Sequence, residues 1–514
     1  MGKYIGIDLG TTFSVSAVID DEGKPKIIKD FLHDATLTPS TVYFSNDNTV
    51  AIGEDANDSC IDNPERFIEH VKCKMGTSKE VCNIDGTGYR AEEISAMILK
   101  HIKDYSSQQI GDIAGAVITV PAYFTNNAKE ATKDAAKLAE LNVVGMINEP
   151  TAAALSYKYL NKDIDKQIFL VYDLGGGTFD VSLVEINGNE FTVLKTDGDH
   201  NLGGATFNNR IFQWIKEELE NQGARIDLLE HGEIKCKLML DIEKAKKNVC
   251  RGISQCTIKI RLENKPYEIK FTKEQFENLI QFDLEETINI SRNVIDDANI
   301  TADQVDEILL VGGSSRIPMI SALLTDKFGK EPKIPVDPDL AVAIGAAYHA
   351  ASFVGKIPED ADKGVTGGLC EQEIVKFKDC TSHAIGIVVQ DMQTKKEYNK
   401  ILIPQNTAIP AFHSEMFCTV LDNQISIIVQ ITEGELEDLN YTTIIGKSEL
   451  KFPPKAKGAP MKVTIECDEN YAIHVSVFDV TDNVDLGEMH IERRDNMNSQ
   501  QMKKAAESLG KLDI

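Results

Sequence analysis

The sequence predicts an α/β fold built as two similar halves, followed by a separate antiparallel β domain. Three observations carry this. First, Ile5-Gly6-Ile7-Asp8-Leu9-Gly10-Thr11-Thr12-Phe13 and Val171-Tyr172-Asp173-Leu174-Gly175-Gly176-Gly177-Thr178-Phe179 share the order Asp-Leu-Gly…Thr-Phe, with one extra residue in the second copy. An element repeated at that distance implies two related halves. Second, apolar strand runs alternate with helical-period stretches through the region between and after the copies, the pattern of a largely buried sheet flanked by helices. Third, beyond about residue 380 the apolar period becomes two, which suits antiparallel strands with one face buried.

Size and charge narrow the function. A chain of 514 residues is long enough for about three domains. Its 42% hydrophobic content and 16 prolines describe a globular protein. The 81 acidic residues outnumber 54 basic ones, and a net charge of −27 argues against nucleic acid or an anionic membrane as the main partner. Met1-Gly2-Lys3-Tyr4-Ile5 enters a strand without a signal segment, and no apolar run approaches the roughly 18 residues of a membrane span. The ten cysteines are scattered without a C-x-x-C pair, as expected of reduced thiols in a cytoplasmic protein.

Each element follows from its residues. After the first loop Val15 to Ile19 reads as a strand, as do Val42 to Phe44 and Val50 to Ile52. Ile94, Met97, Ile98, His101, Ile102 and Tyr105 fall on one helical face. Ala116 to Val120 is a buried strand stopped by Pro121, and Ala128, Ala131, Ala135 and Leu138 mark a second amphipathic helix. The second loop lies between strands Ile168 to Tyr172 and Val181 to Ile186. Phe207 to Leu219, which holds the single tryptophan Trp214, and Glu230 to Val249 read as helices. Ile308 to Val311 runs into Gly312-Gly313-Ser314-Ser315-Arg316, and Asp337-Pro338-Asp339 precedes a small-residue helix, Ala341 to Ala350.

From Lys356 to Asp379 the pattern is lost, and Pro358, Glu359, Asp360, Gly364, Gly367 and Gly368 read as a linker. Met416 to Val420, a turn at Leu421 to Gln424 and Ile425 to Ile431 read as a hairpin. Met461, Val463, Ile465 and Cys467 alternate, Asp468-Glu469-Asn470 turns, and Ile473, Val475 and Val477 alternate again, which predicts a sandwich. A short helix from Ser499 to Leu509 stops at Gly510. The expected units are therefore 1–355, a linker 356–379, a β-sandwich 380–496 and a helical tail 497–514.

Glycines in succession at a strand end let the backbone turn sharply and aim several N–H groups at one point, a concavity for an anion. A carboxylate beside that cradle makes sense where a cation bridges it to the anion, as Mg²⁺ does with nucleotide phosphates. For one such loop alone a ligand-free Gly-rich hairpin is the alternative.

The segments IGIDLGTT, AVITVPAYF, ATKDA, INEPTAAAL, DLGGGTFDVS, LVGGSSRIP and AVAIGAA follow one another in this chain. In these it resembles the 70-kDa heat-shock (DnaK-type) molecular chaperones over nearly its whole length, as a divergent member without the C-terminal helical lid. The resemblance implies a two-lobed actin/hexokinase-like ATPase that hydrolyses ATP to ADP and phosphate with Mg²⁺, followed by a peptide-binding β-sandwich. It also implies unfolded or extended polypeptides as partners, together with a J-domain protein and a nucleotide-exchange factor.

Carried over residue by residue, Gly10, Thr11, Thr12 and Phe13 form one phosphate clamp, and Gly175, Gly176, Gly177 and Thr178 the other. Asp8 and Asp173 hold Mg²⁺ through its waters. Lys72 supplies positive charge beside the γ-phosphate, Glu149 positions the water or accepts its proton, and Thr178 and Asp180 complete the polar shell. Glu243, Lys246, Lys247 and Cys250 match the ribose- and adenine-contacting helix, with Gly312, Gly313, Ser314, Arg316 and Asp339 on the opposite wall. Three departures predict weakened or altered nucleotide affinity. Lys247 stands where an arginine usually stacks on adenine, Cys250 where a serine is usual, and Cys73 where an arginine follows the lysine.

Pro121 matches the family's switch proline, while Lys129 replaces the arginine expected in the adjoining helix. Val375-Lys376-Phe377-Lys378-Asp379 replaces a leucine-rich linker, and two lysines are not expected to dock in an apolar groove as leucines would, although their stems can lie along it. Ile387, Phe417, Ile427 and Val429 align with the peptide pocket, though any sandwich core needs such residues too. Gln390 and Val420 take the positions of an arch over the peptide. A pocket without its lid is expected to exchange peptide quickly. Two other readings use the same loops: an ATP-binding regulator or co-chaperone with little coupled cycling, and a small-molecule kinase on the same fold. Peptide stimulation of turnover selects the chaperone, binding without stimulation the regulator, and phosphoryl transfer to a small hydroxyl compound the kinase.

Overall fold

Lys3–Asp8 (β1) and Phe13–Ile19 (β2) form the centre of the first sheet because both faces of each are apolar or small: Ile5, Ile7, Val15 and Ala17 are sealed from solvent. The structure, a computed structural model, describes residues 2–161, 166–263, 265–334, 337–353, 376–391, 393–468, 471–489, 492–493 and 495–514. Most of the expected linker, 356–375, and the turn residues Glu469 and Asn470 lie outside them. β1 pairs antiparallel with β2 and parallel with Ile113–Val120 (β4). With Pro25–Ile28 (β3) and Val143–Asn148 (β5) the order is β5-β4-β1-β2-β3.

The second lobe repeats the plan. Lys166–Leu174 (β6) pairs antiparallel with Phe179–Asn187 (β7) and parallel with Glu307–Val311 (β9), while Glu190–Asp199 (β8) lies beyond β7. In each sheet the loop-bearing strand sits between its own hairpin partner and a parallel strand from later in the chain. The duplication expected from the two Asp-Leu-Gly loops is thus a duplication of topology.

Helices cover both sheets. Lobe I carries Glu54–Ser59 (α1), Ala91–Ile110 (α2) and Asn126–Leu138 (α3), the last capped by Thr125, whose side chain accepts the Ala128 N–H at 3.3 Å. Lobe II carries Gly204–Asn221 (α5), Gly232–Cys250 (α6), Lys273–Asp297 (α7) and Pro318–Phe328 (α8). Glu149–Leu160 (α4) and Ala341–Ala351 (α9) join the lobes through small residues. A Cβ on Gly345 would fall 1.8 Å from the Ala152 carbonyl oxygen, and one on Gly6 would fall 2.1 Å from the Ala347 nitrogen. Only glycine allows that approach.

The C-terminal domain is a two-sheet sandwich. Glu397–Ile403 (β12), Ile385–Gln390 (β11), Gln424–Glu433 (β14) and Thr443–Lys455 (β15) are neighbours in one sheet, in that order. Ala411–Cys418 (β13), Pro460–Cys467 (β16), Ile473–Asp479 (β17) and Val484–Met489 (β18) form the other. The hairpin expected at Met416 to Ile431 is therefore corrected. β13 pairs with β16, β14 pairs with β11 and β15, and the turn between them crosses from sheet to sheet. Gln424 shapes the crossing by accepting the Val420 and Leu421 N–H groups at 2.8 and 3.3 Å. A period of two fixes which face is buried and leaves the partner strand open. The β16–β17 hairpin forms as expected.

The end of the expected linker and the C-terminal helix are both docked on the ATPase lobes. Lys376–Lys378 (β10) adds to the edge of the lobe II sheet, in parallel with β8. The two lysines stay out of any apolar groove: Lys376 and Lys378 are exposed, while Phe377 turns inward to Phe191 and His349, with ring centroids at 5.7 and 4.5 Å. Ser499–Leu509 (α10) packs on lobe I, where Leu509 enters the core and the Val50 N–H donates to the Asp513 carbonyl at 2.8 Å.

Candidate functional site

The two glycine loops meet face to face across the interlobe cleft. A Cβ on Gly176 would fall 1.7 Å from Thr12 Oγ1, and one on Gly10 would fall 2.0 Å from the Phe13 carbonyl oxygen. A cavity of about 340 Å³ opens beside them, within the range of small-ligand sites. Asp8, Gly10, Thr11, Thr12, Phe13, Lys72, Glu149, Asp173, Gly175, Gly176 and Thr178 line its phosphate end. Of the residues expected there, Gly177 and Asp180 do not line it; a Cβ on Gly177 would strike Thr11 and Cys73 at 2.6 and 2.9 Å. Gly312 is required for a different reason. It has φ 79°, and a Cβ there would press on Asp173 Oδ1 at 2.5 Å.

Electrostatically, the phosphate end concentrates acid around one lysine. Lys72 is buried and paired with Glu149, and Thr119 donates to Asp8 Oδ1 at 2.8 Å. Burial opposes the charge on Lys72, but Glu149 and Asp8 outweigh it and raise its pKa. Burial, reinforced by the Glu149 charge, pushes Asp8 up to about 7. Asp173 is driven well above the usual carboxylate range by burial and by Glu149, Asp180 and Asp8. Burial lifts Asp180 to about 6 despite the Tyr123 N–H it accepts. Glu149 is also raised, first by burial. Three buried carboxylates and the half-buried Asp8 against one ammonium fit a divalent cation that keeps its waters, since among the described residues no three of them are grouped closely enough to ligate a bare ion.

At the other end α6 presents Glu243, Lys246, Lys247 and Cys250 to the cavity, facing Gly312, Gly313, Ser314, Arg316 and Asp339. Lys246 and Lys247 reach Glu243 at 2.7 and 3.3 Å and, with Asn208 at 2.8 Å, hold that carboxyl at about 2 against the effect of burial. Lys247 also lies 5.3 Å from the Phe13 ring centroid. Arg316 is held by Asp337 and Asp339. Sequence reasoning missed Leu37, His70, Gly204, Ala205, Asn208, Arg251, Ile317, Pro338 and Val342 in the lining. Gly203-Gly204 at the start of α5 was a legible signal, since a helix N-terminus suits phosphate. Arg251, Ile317 and Pro338 adjoin expected site residues, whereas Leu37, His70, Asn208 and Val342 carry no local pattern that marks them.

A family model for Hsp70 protein matches residues 4–85 and 79–513. The chain is 39% identical over 485 residues to the chaperone protein DnaK of Thermotoga neapolitana, covering 93% of this chain and 78% of that protein. It is 38% identical, with the same coverage, to the DnaK chaperones of Thermotoga petrophila and Thermotoga maritima. The chain belongs to the Hsp70 family. With that membership come the family's chaperone, ATP-binding and ATPase roles in protein folding and the stress response. Among the described residues no helix is long and apolar enough to cross a membrane.

In this Hsp70 the sandwich abuts lobe I where Pro121 ends β4. Lys129 is buried there. It donates to Ser382 Oγ at 3.0 Å and lies 3.3 Å from the Tyr471 ring centroid, its pKa lowered by burial although Asp379 and Glu433 face it. Asn148, next to Glu149, donates to Asp379 at 2.6 Å and to the Tyr471 hydroxyl at 3.0 Å. The four expected peptide residues share one cluster in the sandwich. Ile387 and Val429 are sealed inside it, and Phe417 and Ile427 are half-buried at its edge. Gln390 and Val420 are exposed.

Proposed function

We propose that this protein is an ATP-dependent chaperone that hydrolyses ATP in the interlobe cleft and binds extended apolar polypeptide on its β-sandwich. The observation that carries the reading is the buried Lys72–Glu149 pair beside Asp8 and Asp173, set between two facing glycine loops. Phosphoryl transfer to water needs neutralised phosphate charge and an oriented, deprotonatable nucleophile. The Gly10–Thr12 and Gly175–Thr178 backbones would cradle the phosphates. Asp8 and Asp173 would hold Mg²⁺ through its waters, and when bound that ion supplies charge neutralisation at the phosphate oxygens. Lys72, kept protonated by Glu149 and Asp8, stabilises charge developing beside it. Glu149, with its pKa raised by burial, is a stronger base than an ordinary glutamate and accepts or passes on the water's proton.

The half-buried Phe417 and Ile427 are the residues we assign to direct contact in the peptide site, with Ile387 and Val429 packed beneath them as its floor, and with a J-domain protein and a nucleotide-exchange factor as further partners in a cytoplasmic setting. The test is Mg²⁺-dependent ATP turnover with and without an apolar peptide and a J-domain protein: stimulation by both supports the reading. A second reading, a nucleotide-binding regulator with little cycling, draws on Lys247, which is tied to Glu243 and poorly suited to stack on a base. Tight ATP binding without stimulated turnover would favour it.

A further inference from the structure

We propose that Cys60 and Cys236 are an oxidation site, closing to a disulfide that pins lobe I to lobe II above the nucleotide cleft. Cys60 caps the C-terminal end of α1 in lobe I and is fully buried; Cys236 lies in the second turn of α6 in lobe II and is half-buried. Their sulfurs are 2.7 Å apart although 176 residues separate them in sequence. A short movement brings the two sulfurs to a bond of about 2.05 Å. The lobes touch at the same place through a second contact, where a Cβ on Gly232 would sit 3.1 Å from Pro64 Cβ.

The position on α6 gives the bond its consequence. Cys236, Glu243 and Cys250 are spaced by seven residues, so they form one stripe along the helix, and Glu243 and Cys250 line the cavity. A covalent tie two turns above Glu243 fixes the wall that has to move away for a nucleotide to leave. The inference that release slows rests on the nucleotide reading; the bond itself does not.

The chemistry balances with a peroxide as oxidant. The Cys236 thiolate attacks one peroxide oxygen, the O–O bond breaks, an S–O bond forms, and the departing hydroxide takes up the thiol proton as water. The Cys60 sulfur then attacks the sulfenic sulfur, and its proton leaves with the displaced hydroxide as a second water. Two thiols and one hydrogen peroxide give one disulfide and two waters. Burial pushes the Cys236 thiol up to about 12 and raises Cys60 as well, so few thiolates exist at neutral pH and the site responds to sustained rather than brief oxidation.

The experiment uses the full chain loaded with a fluorescent ADP analogue, reduced or treated with hydrogen peroxide, followed by chase with unlabelled ADP and non-reducing peptide mapping. Expected are a linked peptide pair containing Cys60 and Cys236, release slowed at least tenfold, and recovery with dithiothreitol. Cys236→Ser should release quickly before and after peroxide, and Cys60→Ala should behave alike. Absence of the linked pair under conditions that oxidise other cysteines overturns the proposal, as does a linked pair with unchanged release. Failure of the analogue to bind the reduced protein would instead count against the nucleotide site, and the mapping would still decide the disulfide.

Discussion

Lys72 is the residue on which the proposed chemistry turns. Alone in the sequence, Val71-Lys72-Cys73-Lys74 reads as ordinary surface charge, and only the family motifs single out one of its two lysines. The structure separates them by burial: Lys72 is sealed against Glu149, whereas Lys74 is exposed. Lys72→Ala should lower the single-turnover rate of ATP hydrolysis by about 100- to 1,000-fold, the scale for losing one preorganised electrostatic group. ATP binding should persist, because the glycine loops are untouched. Asp8 gives a prediction of a different kind. Its folded-state pKa of about 7 exceeds the unfolded value near 3.9, so the folded form holds the extra proton between those limits. Its stabilising share is complete below about pH 4 and is lost as pH rises through 7. Asp8→Asn removes that loss. In thermal scans without nucleotide the variant should melt a few degrees above the parent at pH 8, with the gap shrinking at pH 5, while its Mg²⁺-dependent turnover disappears.

Among the elements, strands with strong apolar runs and helices with clear stripes were legible to within a few residues, Val42–Phe44 and Ser499–Leu509 among them. Partnership was less legible. The β13–β14 crossing looked like a hairpin because alternation says nothing about which strand lies alongside. Comparison of Lys376–Lys378 with a leucine-rich linker gave no hint of the sheet edge it joins. Its own alternation, Lys-Phe-Lys, is what a sheet edge accepts, one aromatic in and two ammonium groups out. The small residues of Ala341 to Ala350 mark a closely packing helix but not its partner α4, against which Gly345 proves critical. Gly345→Ala should destabilise the domain by about 1–3 kcal/mol or more, since the added methyl meets backbone rather than a movable side chain. Because α4 begins at Glu149, turnover should fall with stability; calorimetry and an ATPase assay on the same preparation check both.

For the whole molecule, the contacts from sandwich to cleft run through buried polar groups: Tyr471 and Asp379 meet Asn148, and Asn148 precedes Glu149. Sequence motifs located both ends of that path but not the path itself, since Tyr471 and Asn148 are 323 residues apart. Lys129 sits in the same junction, and Lys129→Ala should remove its hydrogen bond to Ser382 and the positive charge that faces Asp379 and Glu433, weakening the contact between sandwich and lobe I. Small-angle scattering of that variant should show the sandwich released from lobe I. The central proposal, an ATP-dependent chaperone whose cleft meets the sandwich through Asn148, is tested most directly by the release rate of a fluorescent apolar peptide. We expect at least tenfold faster release with Mg²⁺-ATP than with Mg²⁺-ADP, and the loss of that difference in Lys129→Ala. Equal release rates in ATP and ADP from the unaltered protein would contradict the account.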